Sequence, residues 1–425
     1  MSIFITAVPL FDAEMSVQAY RLKSRDGERL LGLKDDHTAL SGATDSPAIE
    51  TVNEVGIEAF TGGKPLFIDV NQFHVLGNVP QSCTAPKELL FFVISSDTID
   101  DADCLAKCQE LKEMGYGIAL EHVERAERLN DFLPLADYVM LDTSHRDFSE
   151  SMKAVVRHDR NHRLVLSDIP SMETFSQLKR VQNSLYEGRF YNQPLTAGKN
   201  VISPLKLNAL QLLRLIGEDD FELEDASKII RKDPAISIAL LRFINSPSIG
   251  IISRITSITS AVALLGQKET KKWISAAISI KLSEDKPSEI TKLSLIRAKF
   301  AENLANYFEM GVHSQSLFLM GLFSLLDVIL EKPMEQALKE VSVDKHINEA
   351  LVSRSGQFFD VLDLIYNYER AEWESVLLVM IRRSLKAESI EKAFIDALNW
   401  YGELLASQIE LQDMQDEGGG LKQKR

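Results

Sequence analysis

Residues 221–273 read FELEDASKIIRKDPAISIALLRFINSPSIGIISRITSITSAVALLGQKETKKW, and the punctuation of this stretch decides the fold of its half of the chain. Asp233 can cap a helix whose first turn opens on Pro234, which loses nothing there because that N–H has no helical acceptor. Ile236, Ala239, Leu240 and Phe243 then recur at helical intervals and form one buried stripe. A second helix starts after Thr256 or Ser257, carries Ile258, Ala261, Val262 and Leu265 on one face, and stops at Gly266. Between the two, Asn245-Ser246 stands where a helix ends.

Downstream, SEDKPSE at 283–289 interrupts the pattern with charge and proline, and helical periodicity resumes from ITKLSLIRAKFAENLANYF to about Gln408. The last stretch, 409–425, ends in EGGGLKQKR and reads as a flexible tail. Upstream, the texture changes across QPLTAGKNVISP, which places a linker at 195–204 between a first domain at 1–194 and a helical domain at 205–408.

The first domain has a different period. IFITAVPLF, VQAYRL, PLFIDVN, ELLFFVIS, GIALEHV, YVMLD and RLVLSDI are short, rich in β-branched and aromatic residues, and read as strands. Amphipathic segments alternate with them. In DADCLAKCQELKEMG, Leu105, Cys108, Leu111 and Lys112 are spaced for one helical face and Gly115 is placed to end the helix. Unbroken hydrophobicity in FFVIS and YVMLD suits parallel strands covered on both faces, hence a (β/α) TIM-like barrel, with a doubly wound open sheet as the alternative. The fold class expected is α/β followed by all-α.

The chain's 425 residues exceed one ordinary domain, and a 45% hydrophobic, 26% charged composition with 13 prolines is that of folded domains rather than disorder. A net charge of −15 repels a phosphate backbone at long range and argues against nucleic acid as a partner. Cys104 and Cys108 lie four apart on one helix face with no histidine nearby, and with Cys83 they make an odd count that fits a reducing compartment. The amino terminus lacks a basic region and a secretion-length apolar run, and no stretch approaches the ~18 apolar residues of a membrane span. The expectation is a cytoplasmic protein with no membrane insertion.

Residues 221–273 resemble the HDOD domain family through Asp233-Pro234, the Leu-Leu-Arg at 240–242, Asn245-Ser246, the Ile-Thr-Ser-Ile at 255–258 and Leu265-Gly266. FLMGLFSLLDVILEKPMEQAL and YNYERAEW further along look like the form of HDOD that follows EAL barrels. Each mark also has an ordinary structural role, as a helix cap or stop. HDOD domains resemble HD phosphohydrolases, whose chemistry needs His and Asp ligands around a metal. Here the positions of the His-Asp pair fall on Ser324 and Leu325, and an earlier His position on Arg297, so the resemblance implies no metal in this half. His313 and His346 stand in polar contexts and read as solvent-exposed.

A barrel ahead of HDOD resembles the EAL domains, phosphodiesterases that cut cyclic di-GMP with two divalent ions held by carboxylates at the carboxyl ends of the strands. The resemblance aligns AYRLKSR with the family's Glu-x-Leu-x-Arg, which puts Arg21 in place of a metal-binding Glu and keeps Arg25 as a phosphate contact. Asp69 replaces an Asn, and Phe92 falls at the next Glu position. Glu121-His122 replaces a pair of aspartates, Met140 a lysine, Ser167 a Glu, and Glu187 a late Gln, while Asp142 remains.

No other catalytic pattern competes: there is no glycine-rich phosphate loop and no Gly-x-Ser-x-Gly elbow. His158 and His162 in RHDRNHR lie among arginines that oppose a cation. Trp273, beside the lysines of KETKKW, is a candidate interface anchor or a core residue. Taken with the degenerate positions, the resemblance implies a non-enzymatic scaffold or adaptor without cofactors in cyclic di-GMP-related control of motility or surface attachment, contacting other signalling proteins. A second reading is a receptor that binds cyclic di-GMP without cutting it through Arg25, Glu121 and Asp142. A third is an active phosphodiesterase whose metals sit on Asp69, Glu121, Asp142 and Glu187.

Overall fold

The computed structural model describes residues 3–26, 46–95, 98, 101–121, 129–158, 163–193, a discontinuous set between 206 and 245 that includes 222–232, 255–341 and 343–419. The chain divides into two compact units, residues 1–193 with 366–391, and residues 194–365 with 392–425.

The first unit is a closed barrel of eight strands in sequence order: β1 (Ile3–Phe11), β2 (Val17–Asp26), β3 (Leu66–Val70), β4 (Leu90–Ile94), β5 (Gly117–Leu120), β6 (Tyr138–Asp142), β7 (Arg163–Ile169) and β8 (Ser184–Gly188). Pairing of Leu10 with Glu187 and Phe11 with Tyr186 closes β1 onto β8 and removes the open-sheet alternative. β1 runs antiparallel to both neighbours, whereas β2 to β8 pair in parallel. The reversal follows from a short connection. Asp12 Oδ1 accepts from the amides of Glu14 and Ser16 at 3.0 and 2.8 Å, a turn that returns the chain as a hairpin with no room for a crossover helix.

Leu10, Ala19, Phe67, Val93, Ala119, Met140 and Val165 interlock as the barrel's buried filling. Phe91 and Tyr138 pack against Phe67 of this filling and against each other, with ring centroids 4.9 to 5.2 Å apart. Gly117 is required there, because a Cβ would meet the Phe91 ring at 2.2 Å. The helix Ala102–Glu113 is capped by Asp101 and is followed by Gly115 at φ 95°. Its buried face is Cys104, Cys108 and Leu111, while Lys112 turns away to pair with Asp137 at 2.7 Å.

Residues 366–391, which periodicity assigned to the helical domain, belong instead with the barrel. The Ile5 amide donates to the Tyr368 hydroxyl at 3.1 Å, and the Phe4 ring packs on Tyr368 and Trp373 with centroids 5.9 Å away from each. Arg189 pairs with Glu372 at 2.8 Å. β1 begins at the rim where the parallel strands end, so this returning segment borders the carboxyl mouth between β8 and β2.

The second unit is helical. Ser257 caps the helix Ile258–Leu282, and its chain departs from helical geometry at Gly266, with φ 75° and ψ 172°. The next helix, Ser288–Leu304, starts directly after Pro287, as the break at 283–289 implied. Asn245 works as a clamp: its side chain accepts from the Ile255 amide at 2.7 Å and donates to the Ile255 carbonyl at 2.8 Å. Trp273 is buried against Phe243, with centroids 6.3 Å apart, and so serves the core and not an exposed interface. Asp233, Pro234 and Ser246 lie outside the described residues.

Candidate active site

Inward-facing residues alternate along each strand, so the positions directly above the apolar filling are fixed by the pleat. On β2 they are Arg21, Lys23 and Arg25, following Ala19. On β3, β6, β7 and β8 they are Asp69, Asp142, Ser167 and Glu187, and Glu121 stands immediately after β5.

Arg21 is the centre of this layer. Its side chain is 3% exposed, and its Nη1 and Nη2 donate to the two oxygens of Glu121 at 2.7 Å each. Nε donates to Asp69 Oδ1 at 2.9 Å, and Nη2 lies 2.8 Å from the same oxygen. Lys23 Nζ approaches the other Asp69 oxygen at 3.5 Å. Burial alone would lower the Arg21 pKa, but Asp69, Glu121 and Glu187 together outweigh it and raise it above the ordinary value. A guanidinium so deeply buried is tolerated because it is paired and hydrogen-bonded.

Of its five N–H donors, one on Nη1 has no partner in hydrogen-bond reach. Glu187 Oε2 lies 3.8 Å from Nη1, too far for a direct bond, and is itself buried without a partner. An oxygen that bonds both groups would have to sit to one side of the line between them, since bonds of about 2.8 Å to each cannot be made from within 3.8 Å.

The structure thus brings Arg21, Asp69, Glu121 and Glu187 together. Asp142 stays apart, occupied by the Ser144 amide and hydroxyl at 2.8 and 2.7 Å. Met140 belongs to the apolar filling, and Ser167 is buried with its hydroxyl toward the Leu141 carbonyl at 3.4 Å. Phe92 is not a site position: it points away from the barrel interior onto Tyr116, with centroids 5.3 Å apart, and Val93 is the inward residue. Arg25 is exposed on the same face of β2, four residues toward the rim from Arg21. His122 and His162, and the side chain of His158, lie outside what is described. Sequence reasoning missed Lys23, although its place between Arg21 and Arg25 in period-two alternation was the available signal.

The resemblance to EAL domains implies divalent ions at this mouth, and the residues present do not fit them. The oxygens of Glu121 and Asp69 are directed at the guanidinium, whose positive charge stands among the carboxylates. Among the described residues no group of three or more His, Cys, Asp and Glu is arranged to hold a metal.

In the helical unit, Arg297 Nη1 donates to Ser324 Oγ at 3.1 Å, and both are buried beside Leu325. These positions of the lost His-Asp set therefore still adjoin. His313 and His346 are not separate as their sequence contexts suggested: their ring centroids are 6.2 Å apart and both pack on the buried Phe358.

The HDOD domain family matches residues 202–355. The cyclic di-GMP phosphodiesterase CdgJ of Vibrio cholerae is 25% identical over 400 residues, covering 93% of this chain and 92% of that protein. The uncharacterized protein YuxH of Bacillus subtilis is 26% identical over 416 residues, covering 95% of this chain and 99% of that one. Among solved structures, an EAL domain protein of Listeria monocytogenes is 15% identical and covers 45% of this chain and 88% of its own, with a TM-score of 0.34. The chain thus joins a closed eight-stranded barrel to a region, residues 202–355, that matches the HDOD domain family.

Similarity along almost the whole chain to a protein named a phosphodiesterase overturns two expectations, that of a non-catalytic scaffold or adaptor and that of a pseudo-enzyme. Phe92 faces out of the barrel and is no site position, and three carboxylates remain gathered at the mouth. No helix among the described residues is long and apolar enough to cross a membrane.

Proposed function

We propose that this protein hydrolyses cyclic di-GMP to the linear dinucleotide at the carboxyl mouth of its barrel. The reading is supported by the full-length similarity to the Vibrio cholerae phosphodiesterase. The structural observation that carries it is Glu187 Oε2, which lies 3.8 Å from Arg21 Nη1 without a hydrogen-bond partner. A water admitted beside these two atoms with the substrate donates to the carboxylate and is aimed by it. Its oxygen forms the new bond to phosphorus as the bond from phosphorus to the 3′-oxygen breaks. Glu187 takes the water's proton, and the departing 3′-oxygen is protonated from solvent. The unpartnered N–H of Arg21 faces the oxygens on which negative charge gathers. Arg25, exposed nearer the rim, meets the second phosphate as a positioning contact.

The test is chromatography of cyclic di-GMP incubated with the full chain, once with Mg²⁺ and once with EDTA. Linear dinucleotide is expected, with Glu187→Gln slowing its formation by about 10²- to 10⁴-fold, the range of general-base contributions. Absence of product under both conditions overturns the proposal, and so does a Glu187→Gln variant as fast as the parent.

A further inference from the structure

The carboxylate cluster at the barrel mouth already contains a cation, and that cation is covalently part of the chain. We infer that Arg21 is the resident counter-ion of the mouth in place of a divalent metal, and that removing its side chain uncovers a divalent-cation site formed by Asp69, Glu121 and Glu187.

Three observations converge on this. The guanidinium lies 2.7 to 2.9 Å from oxygens of Glu121 and Asp69 and 3.8 Å from Glu187, so carboxylates from β3, the end of β5 and β8 all converge on one point. That point is occupied by a side chain only 3% exposed, which excludes a hydrated ion from the same volume. Glu187 Oε2 is buried with no hydrogen-bond partner, an oxygen left over after the guanidinium has taken what it reaches. A buried carboxylate lacking partners is costly. Here the arrangement fixes the charge ratio: one guanidinium among three carboxylates leaves the cluster net negative, and Lys23 at 3.5 Å from Asp69 offsets part of that excess.

Truncating Arg21 removes the only buried cation in the cluster among the described residues and leaves oxygens around an empty volume. Hard divalent ions such as Mn²⁺ and Mg²⁺ take carboxylate oxygens and complete their shells with water, so they suit the space vacated. The inference concerns the cation and does not depend on the nucleotide chemistry proposed above. Failure to release linear dinucleotide would leave it standing, and metal uptake by the parent protein that depends on Glu121 would sink it while leaving hydrolysis open.

The experiment titrates the full chain with Mn²⁺ alone and reads free Mn²⁺ by electron paramagnetic resonance, for the parent, Glu121→Gln, Arg21→Ala and Arg21→Ala/Glu121→Gln. The expected result is a class of bound Mn²⁺ that Arg21→Ala gains over the parent and that the double variant loses. Parent protein whose Mn²⁺ uptake is abolished by Glu121→Gln overturns the inference, because the carboxylates then serve a metal with Arg21 in place. A folded Arg21→Ala that takes up no more than the parent also overturns it. Should Arg21→Ala fold poorly, thermal unfolding supplies the reading: a Tm raised by Mn²⁺ in the variant and not in the parent supports the inference, and equal shifts refute it. If that variant yields no folded protein at all, the parent and Glu121→Gln titrations decide alone, uptake lost in the variant refuting the inference and equal uptake supporting it.

Discussion

The clamp made by Asn245 is the smallest unit in the molecule with a measurable consequence. Its amide satisfies both the N–H and the C=O of Ile255, a bidentate contact that no other side chain of similar size reproduces. Asn245→Ala therefore strands two backbone groups and is expected to destabilise the helical unit by about 2 kcal/mol, read as a lower urea midpoint. That Asn245 mattered was legible in the sequence, because it stands where a helix must stop. What it held was not, since Ile255 lies ten residues on, across a stretch whose path the sequence does not state. Arg21 presents the same division more sharply. Its cationic character could be read directly, but its partners come from β3, the end of β5 and β8, and only the register between strands brings them within reach. Phe92 shows how strictly the pleat sorts faces: it packs outward on Tyr116, while its neighbour Val93 turns inward into the apolar filling.

Helix ends were the most legible elements, because capping chemistry is local. Ser257, Asp101, Gly115 and Gly266 all do what their residue types suggest. At Gly266 the backbone lies at φ 75° and ψ 172°, a region essentially reserved for glycine, and no atom stands within 4 Å of where a Cβ would be. The penalty of Gly266→Ala is thus one of backbone strain alone, about 2 kcal/mol, and the thermal midpoint of the variant reports it. The helix Ala102–Glu113 carries a pH signature. Burial, with Asp101 and Asp103 adding to it, raises the Cys104 thiol to about 11, and burial raises Cys108 to about 12. Unfolded thiols with an ordinary value of 9.0 ionise first, so above that pH the unfolded state binds fewer protons and stability falls as pH rises toward the folded values. Equilibrium unfolding between pH 8 and 11 is expected to show this decline, and Cys104→Ala/Cys108→Ala to flatten it. The direction of β1 was less legible: its hydrophobic run announces a strand, but only the tightness of the turn at Asp12 decides that it runs antiparallel.

At the scale of the whole chain, composition and the change of period separated a strand-rich half from a helical half. They could not assign residues 366–391, because an amphipathic helix declares that one face is buried and says nothing about which unit buries it. Tyr368 and Trp373 answer that question by closing on Phe4 and Ile5. The barrel unit is consequently written in two pieces, with most of the second unit's sequence between them. On the ribosome this imposes an order of events. All eight strands emerge early, yet the start of β1 waits uncovered until residues beyond 366 have been made, while the intervening helices have already had time to form. A fragment ending at 194 should therefore be released with Phe4 and the Ile5 amide exposed and collect in aggregates. Co-expression with a segment spanning 359–391 is expected to return part of it to solution, so that the last stretch of the barrel acts toward the first as an intramolecular chaperone delivered late.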